Sequence, residues 1–188
     1  MLELLAPAGN LDAVIAAVQN GADAVYMGFG DGFNARRSAD NFTRESFAKA
    51  VRYCHIRGCK VYVTLNTLVG DREMDAAAAL AQQASDAGAD AILVQDLGLA
   101  RVLRAALPDI PLHASTQMSI HNLAGVEAAA EMGITRAVLA RELSLEQIRF
   151  ISQHVSIETE VFVHGALCFC YSGQCYMSAL IGRRSGNR

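Results

Sequence analysis

The sequence predicts an α/β fold, a (β/α) barrel of the TIM-barrel type with about seven parallel strands that does not close within its 188 residues. Short apolar runs alternate with longer segments of helical periodicity along the chain, which is typical of parallel βα units. The turn between helix and strand recurs, as N-G-A-D-A-V at 20–25 and A-G-A-D-A-I at 87–92. No G-x-G-x-x-G fingerprint follows the first strand, which favours a barrel over a doubly wound sheet.

Each apolar run gives one predicted strand. The seven strands are expected at residues 2–5, 24–27, 61–65, 91–94, 112–114, 137–140 and 158–163. A closed barrel of this type needs about 250 residues and eight strands, so we expect an incomplete barrel and a piece of a longer polypeptide.

Capping residues mark the predicted helices between these strands. Asn10 caps the first helix, which ends at 20–21, and Thr43 opens a second helix that Gly58 closes. Three further helices are expected at 71–86, 97–107 and 122–132. Ser144 caps the last one, with Glu146 and Gln147 in its first turn.

Composition indicates a compact protein that does not enter membranes. Hydrophobic residues make up 52% and charged residues 19% of the chain, and no apolar run approaches the ~20 residues of a membrane span. The amino terminus lacks the features of a signal peptide, and five cysteines without an export signal suggest a reducing compartment. We therefore expect a cytoplasmic protein. A net charge of −3 gives no general attraction for nucleic acid, although a local basic cluster lies at Arg183, Arg184 and Arg188.

Polar residues follow many of the predicted strands, where barrels of this type place their active sites. The candidate catalytic residues among them are Arg36, Asn66, Gln117, Arg141 and His164. Arg36 lies in a loop at 28–41 that is long enough to act as a lid or binding loop, and its guanidinium could clamp a carboxylate or phosphate. For any one of these residues, a structural or capping role is about as good an explanation. Glu142 beside Arg141 reads more simply as a local ion pair than as a general base.

The cysteines fall into two groups. Cys54 and Cys59 flank Gly58 and read as small buried hydrophobes. Cys168 and Cys175 lie in a glycine-bearing loop after the seventh strand and resemble two ligands of a soft-metal or iron-sulfur site. A competing interpretation makes one of them a nucleophile with His164 as base.

The segment around these cysteines matches a known signature. The matching residues are Glu160, Phe162, Gly165, Ala166, Leu167, Cys168, Gly173, Cys175, Met177 and Ser178. Further matches run from L-L-A-P-A-G-N at 4–10 through F-N-A-R at 33–36, V-T-L-N-T at 63–67 and L-H-A-S-T-Q at 112–117 to V-L-A-R-E-L-S-L-E-Q-I at 138–148. The chain therefore resembles peptidase family U32, the collagenase-like proteins, along essentially its whole length. Within that family it is most similar to the branch that hydroxylates a cytidine of large-subunit (23S) ribosomal RNA, and then to the transfer-RNA uridine hydroxylases.

The resemblance implies a barrel-like domain and oxygen-independent hydroxylation of RNA. It further implies a 4Fe-4S cluster on four cysteines, and prephenate as the source of the hydroxyl group. Cys168 and Cys175 match the first two ligands, Cys170 is expected to be a bystander, and the remaining ligands are expected beyond the stretch at 182–188. We accordingly expect 1–163 to form the barrel scaffold and 164–188 to form the cysteine-bearing loop and the start of a region that continues further. The chain alone is expected to be inactive and unable to hold the cluster stably.

Three functional hypotheses follow. In the first, an RNA-modifying hydroxylase holds its cluster on Cys168 and Cys175, binds an anionic donor or RNA phosphate with Arg36 and Arg141, and orients its substrate with Asn66 and Gln117. The second is a collagenase-like peptidase with a cysteine- or metal-dependent mechanism that uses Cys168 or Cys175 with His164. The third is a scaffold whose cysteines assemble with another subunit. RNA is the expected partner, with a homo-oligomer or partner subunit as a further expectation.

Overall fold

The computed structural model describes residues 2–30, 32–35, 41–165 and 170–181. Its strands form one parallel sheet in which each strand pairs with the next along the chain. They are β1 (Leu5–Pro7), β2 (Ala24–Met27), β3 (Lys60–Leu65), β4 (Ala91–Val94), β5 (Leu112–Ala114), β6 (Arg136–Val138) and β7 (Glu158–Glu160). This order confirms the predicted α/β barrel with seven parallel strands. Within the described residues β1 and β7 do not pair, so the barrel is open there.

The described helices follow the strands as expected. They are α1 (Leu11–Gln19), α2 (Arg44–His55), α3 (Met74–Asp86), α4 (Leu97–Ala106), α5 (Leu123–Glu131), α6 (Leu145–His154) and a short α7 (Met177–Leu180). None of them, in the parts of the chain that the structure describes, is long and apolar enough to cross a bilayer.

Local capping explains where three of these helices begin. The side-chain oxygens of Asn10 and Thr43 accept hydrogen bonds from the third residue that follows each of them, as predicted. At α6 the cap is reciprocal, because Ser144 Oγ accepts from the amide of Gln147 while Gln147 Oε1 accepts from the amide of Ser144.

The first strand lies later in the chain than the apolar letters suggest. It was expected at 2–5, but the ladder begins with Leu5 opposite Ala24. The same register would place Leu2 opposite Gly21, which belongs to the turn after α1, so Leu2 has no strand to pair with and is exposed.

The sixth and seventh strands both end earlier than predicted. β6 was expected to reach residue 140 and β7 residue 163, but they end at Val138 and Glu160. The amide of Ala140 donates to the carbonyl of Ile120 at 2.8 Å, so the chain after β6 turns towards the loop that follows β5. The backbone that residues 161–163 would need as a partner is therefore not available.

Alternation along the strands divides the apolar residues into two clusters. The larger cluster contains one face of each central strand, for example Val61 and Val63 of β3, and packs against the helices. The smaller cluster contains the opposite face, with Ala24, Tyr62, Ala91 and Leu93. This second face is the interior of the barrel.

Five charged side chains and one tyrosine occupy the amino-terminal end of that interior, and we call them the base network: Glu3, Lys60, Tyr62, Arg136, Glu158 and Glu160. Arg136 is at its centre with a side chain that is 8% exposed. Its guanidinium lies 2.5 Å from a carboxylate oxygen of Glu3, 2.6 Å from Glu158 and 3.5 Å from Glu160. Because Glu3 precedes β1 and Arg136 begins β6, the contact shows that the sheet curls round to bring its first and sixth strands together.

The carboxylates of the base network differ in the direction of their pKa shifts. Burial would raise the pKa of Glu3, but hydrogen bonds from Arg136, Tyr62 and Lys60 outweigh it and lower the pKa to about 2. Burial raises the pKa of Glu160. The contact with Arg136 at 3.5 Å lowers that pKa but offsets the effect of burial only in part. The three hydrogen bonds that Glu3 receives outweigh its burial, whereas the interaction of Glu160 with Arg136 does not.

His113 of β5 lies in the same interior, edge-on to the ring of Tyr62. Burial lowers the pKa of His113 to about 3, and the nearby charge of Arg136 lowers it further. The imidazole is therefore neutral, and its Nδ1 has no hydrogen-bond partner among the described residues.

Candidate active site

Loops at the carboxyl ends of the strands form the candidate site, and we call this end of the barrel the mouth. Asn66 follows β3, Ser115 and Gln117 follow β5, and Arg141 and Glu142 follow β6. The sequence placed functional side chains at this end, and the structure puts Asn66, Gln117 and Arg141 there.

A hydrogen-bonded chain joins two of the mouth loops. Asn66 Nδ2 donates to Ser115 Oγ at 3.2 Å, and that hydroxyl oxygen also accepts from the amide of Gln117 at 3.3 Å. Ser115 is buried, so its hydroxyl serves as a fixed link between the loops after β3 and β5. Asn66 is thereby held in one orientation.

The long loop after β2 reaches the mouth at the same residue. Asn66 Oδ1 accepts from the amide of Ala35 at 3.1 Å. The two ends of the loop are joined by a bridge between Phe29 and Phe42, and the Phe29 ring packs against Phe47 with centroids 4.6 Å apart. Arg36, the predicted anion ligand of this loop, lies outside the described residues.

Residues 170–176, which we call the cysteine loop, dock on the mouth through Ser172. The amide of Ser172 donates to Glu142 Oε1 at 2.8 Å, and its hydroxyl donates to the same oxygen at 3.2 Å. In return, the Ser172 carbonyl accepts from Ser119 Oγ at 2.6 Å, and the Ser172 hydroxyl accepts from the amide of Arg141 at 3.2 Å. Ser172 is 1% exposed. The loop is thus attached to the loops after both β5 and β6.

Close backbone contact at Gly173 completes the docking. Gly173 has a φ of +76°, a conformation that favours glycine. A β-carbon at this position would lie 2.3 Å from the carbonyl oxygen of Gln117. Only glycine lets the two backbones approach this closely, which gives a physical reason for the glycine between the cysteines in the signature.

Arg141 is an exposed cation of the mouth. Its Nε lies 3.5 Å from Ser172 Oγ, and its guanidinium lies 5.5 Å from the centroid of the Phe162 ring. The prediction of an ion pair between Arg141 and Glu142 is wrong. Among the described residues, the carboxylate of Glu142 accepts hydrogen bonds from Ser172 instead. The guanidinium can therefore offer its terminal nitrogens to an anion in the mouth.

His164 is exposed and makes no hydrogen bond with Cys175 or with any other described residue. It is not brought to Asn66, Gln117 or Arg141 by any recorded contact. The pairing of His164 with Cys175 as base and nucleophile therefore lacks the geometry that it requires. Cys168, the other candidate nucleophile, lies outside the described residues.

The described cysteines behave as two classes, as predicted. Cys54 and Cys59 are buried, and burial raises the pKa of Cys54 to about 12. Cys175 is half-buried in the cysteine loop. In the described ranges, no three His, Cys, Asp or Glu side chains lie close enough to hold a metal ion. Those residues contribute one predicted cluster ligand, Cys175, so the cluster remains a prediction.

The sequence did not identify Ser119, Glu142 and Ser172 as the residues that dock the cysteine loop. Their roles depend on contacts between loops that are 30 or more residues apart. Gly173 was the available signal, because a glycine inside a dense cysteine segment often marks close backbone approach.

The fold and the mouth define a (β/α)-barrel protein that carries a docked cysteine loop at the carboxyl ends of its strands. The chain belongs to peptidase family U32, whose family model matches residues 9–188. The solved structure of the U32 peptidase Mk0906 superposes with a TM-score of 0.73 over 90% of this chain and 71% of that one, at 18% identity, and so supports the fold.

Curated relatives match the whole chain. It is 45% identical over 187 residues to the 23S rRNA 5-hydroxycytidine C2501 synthase of Escherichia coli (strain K12), covering 100% of this chain and 28% of that protein. It is 41% identical to a tRNA hydroxylation protein of Bacillus subtilis (strain 168), covering 99% of this chain and 44% of the relative. A protein named collagenase from Porphyromonas gingivalis (strain ATCC BAA-308 / W83) is 34% identical, covering 99% and 47%. The chain therefore spans less than half the length of these relatives.

Proposed function

We propose that this chain is the barrel domain of a cytoplasmic, oxygen-independent RNA hydroxylase that modifies 23S ribosomal RNA or transfer RNA. The observation that carries the proposal is the identity of 45% and 41%, over essentially the whole chain, to two relatives named for RNA hydroxylation. The mouth supports it, because Asn66, the exposed Arg141 and the loop that carries Cys175 all lie at the end of the barrel where such folds bind ligands.

Each mouth residue has a role in this proposal. Arg141, together with Arg36, binds the anionic hydroxyl donor or an RNA phosphate, since the guanidinium fork matches both groups. Asn66 and Gln117 orient the substrate. Prephenate, a dicarboxylate, is the proposed donor and suits a site that offers arginine.

The proposed cofactor is a 4Fe-4S cluster held by Cys168, Cys175 and further ligands. The position of Cys175 supports this role, because the cysteine loop is hydrogen-bonded to the loops after both β5 and β6. Iron and sulfide assays on the anaerobically purified full-length polypeptide test the cofactor. Cys175→Ser should abolish the visible chromophore, whereas Cys170→Ser, the matched control, should retain it. An iron-free protein with full activity would overturn the cluster.

Mass spectrometry of RNA tests the activity. Ribosomal and transfer RNA from a strain without the gene should lack a hydroxyl group that the wild-type gene restores. Arg141→Ala should reduce the restored modification about tenfold or more, because a charge-assisted contact is worth at least ~1.4 kcal/mol. Arg149→Ala, which removes an exposed arginine of α6, should restore it fully. Unchanged RNA in the deletion strain would refute the proposal.

A collagenase-like peptidase is the second candidate function, because one relative carries that name. The isolation of His164 from Cys175 counts against one version of the mechanism. Cleavage of a collagen-derived peptide without metal, lost in Cys168→Ser, would favour the peptidase; absence of cleavage would count against it.

A further inference from the structure

Ser172 is more strongly held than a residue of a surface loop normally is. Its amide, hydroxyl and carbonyl all bond to the barrel, at distances of 2.6 to 3.2 Å, and the residue is 1% exposed. Loops usually leave such groups to water. The two bonds to Glu142 go to an ionised acceptor, which makes them the strong members of the set.

We propose that Glu142 and Ser172 are positioning residues that fix the cysteine loop on the mouth and tie it to Arg141, so that the anion-binding group and Cys175 keep one relative placement. The functional meaning of that placement rests on the proposed hydroxylase, in which donor and cofactor must face each other.

Geometry at Arg141 supports this coupling. Ser172 Oγ accepts from the backbone amide of Arg141 at 3.2 Å and lies 3.5 Å from Nε of the same residue. The first contact holds the backbone of Arg141, and the second lies at the base of its guanidinium. The terminal nitrogens of the guanidinium make no hydrogen bond to another described residue, so they are available to bind a ligand. The backbone and Nε of the same arginine are held by Ser172. A shift of the cysteine loop would therefore move the arginine as well.

Loop mobility in the full-length polypeptide tests the anchor directly. Glu142→Ala should increase hydrogen exchange in the peptide covering 170–176 and, in protein from which the cluster has been removed, the alkylation rate of Cys175, each by at least about tenfold, because both charge-assisted hydrogen bonds to Ser172 are lost. Glu127→Ala removes an exposed glutamate from α5 and should change neither rate. Rates in Glu142→Ala within twofold of the control would overturn the anchor.

A conservative variant separates positioning from general stability. Glu142→Gln keeps an acceptor oxygen without the charge and should restore part of the exchange protection and of the RNA hydroxylation that Glu142→Ala loses. Ser172→Ala removes only the hydroxyl contacts and should give an intermediate loss. If the loop loosens in Glu142→Ala while RNA hydroxylation stays at the wild-type level, the positioning role is wrong and the proposed function stands. If the gene deletion leaves RNA unchanged, the proposed function fails and the exchange data still decide the anchor.

Discussion

Replacement of Arg136 by methionine should destabilise the fold strongly at neutral pH. The variant removes the central cation of the base network. Glu3 and Glu160, whose side chains are only 20% and 18% exposed, then lose their contact with Arg136. Removing one partner of a buried ion pair typically costs ~3–5 kcal/mol. Glu158 adds little to this cost, because its side chain is 67% exposed and remains hydrated.

The pKa shifts set how the cost depends on pH. The pKa of Glu3 falls from 4.5 to about 2 on folding, so its stabilising effect is present above pH 4.5 and is lost as the pH falls towards 2. Its upper limit is ~3 kcal/mol, reduced by screening because the side chain is partly exposed. Glu160 acts in the opposite direction, since its raised pKa favours the fold at low pH and this contribution is lost as the pH rises through the folded value. In Arg136→Met, Glu160 loses its compensating cation and Glu3 keeps only Lys60 and Tyr62, so protonation relieves part of the burial cost, which should shrink as the pH falls from 7 to 5.

Urea denaturation followed by circular dichroism at pH 7 and pH 5 measures both effects. Arg149→Met, an exposed position on α6, is the matched control and should change the free energy of unfolding by about 0.5 kcal/mol or less. A second substitution, Glu3→Gln, in the Arg136→Met background should recover part of the loss, because one uncompensated charge is removed. A loss below ~1 kcal/mol at pH 7, or one of equal size at both pH values, would refute this account of the base network.

Three further outcomes are expected. Gly173→Ala should raise hydrogen exchange in the cysteine loop, because the new β-carbon would meet the Gln117 carbonyl at 2.3 Å; unchanged exchange would contradict the close packing. Cys54 should resist iodoacetamide at pH 8 in the folded protein, because burial raises its pKa to about 12, and mass spectrometry showing its rapid labelling would be inconsistent with that burial. Asp96→Ala should cost ~1–2 kcal/mol in urea denaturation, because the carboxylate caps α4 at the amide of Leu99; a loss under ~0.3 kcal/mol would argue against the cap.

Features set by neighbouring residues in the sequence were the most predictable. The caps at Asn10, Thr43 and Ser144 depend on residues three positions away, and all three were predicted correctly. The ends of β1 and β7 depend instead on which backbone lies opposite. The runs of apolar residues therefore predicted the wrong bounds for these two strands.

The candidate site was predictable in its location and not in its connections. The order of strands and connecting loops is readable from the sequence even where strand bounds are off by two or three residues, so Asn66, Gln117 and Arg141 could be assigned to the mouth. The bond from Ser172 to Glu142 joins two loops 30 residues apart, and no local pattern specifies it. The base network was missed for the same reason, and also because the sixth strand was predicted to begin at 137, one residue after Arg136.

The ion pair between Glu3 and Arg136 also has a consequence for the order of folding. The two residues are 133 positions apart in the chain. During synthesis Glu3 emerges early, yet its strongest partner cannot reach it until β6 has left the ribosome. Until then Glu3 has only Lys60 and Tyr62 of the base network as partners, and contacts of such long sequence separation form slowly. β1 can pair with β2 early, but the ion pair that joins the start of the chain to β6 forms only after most of the barrel has been synthesised.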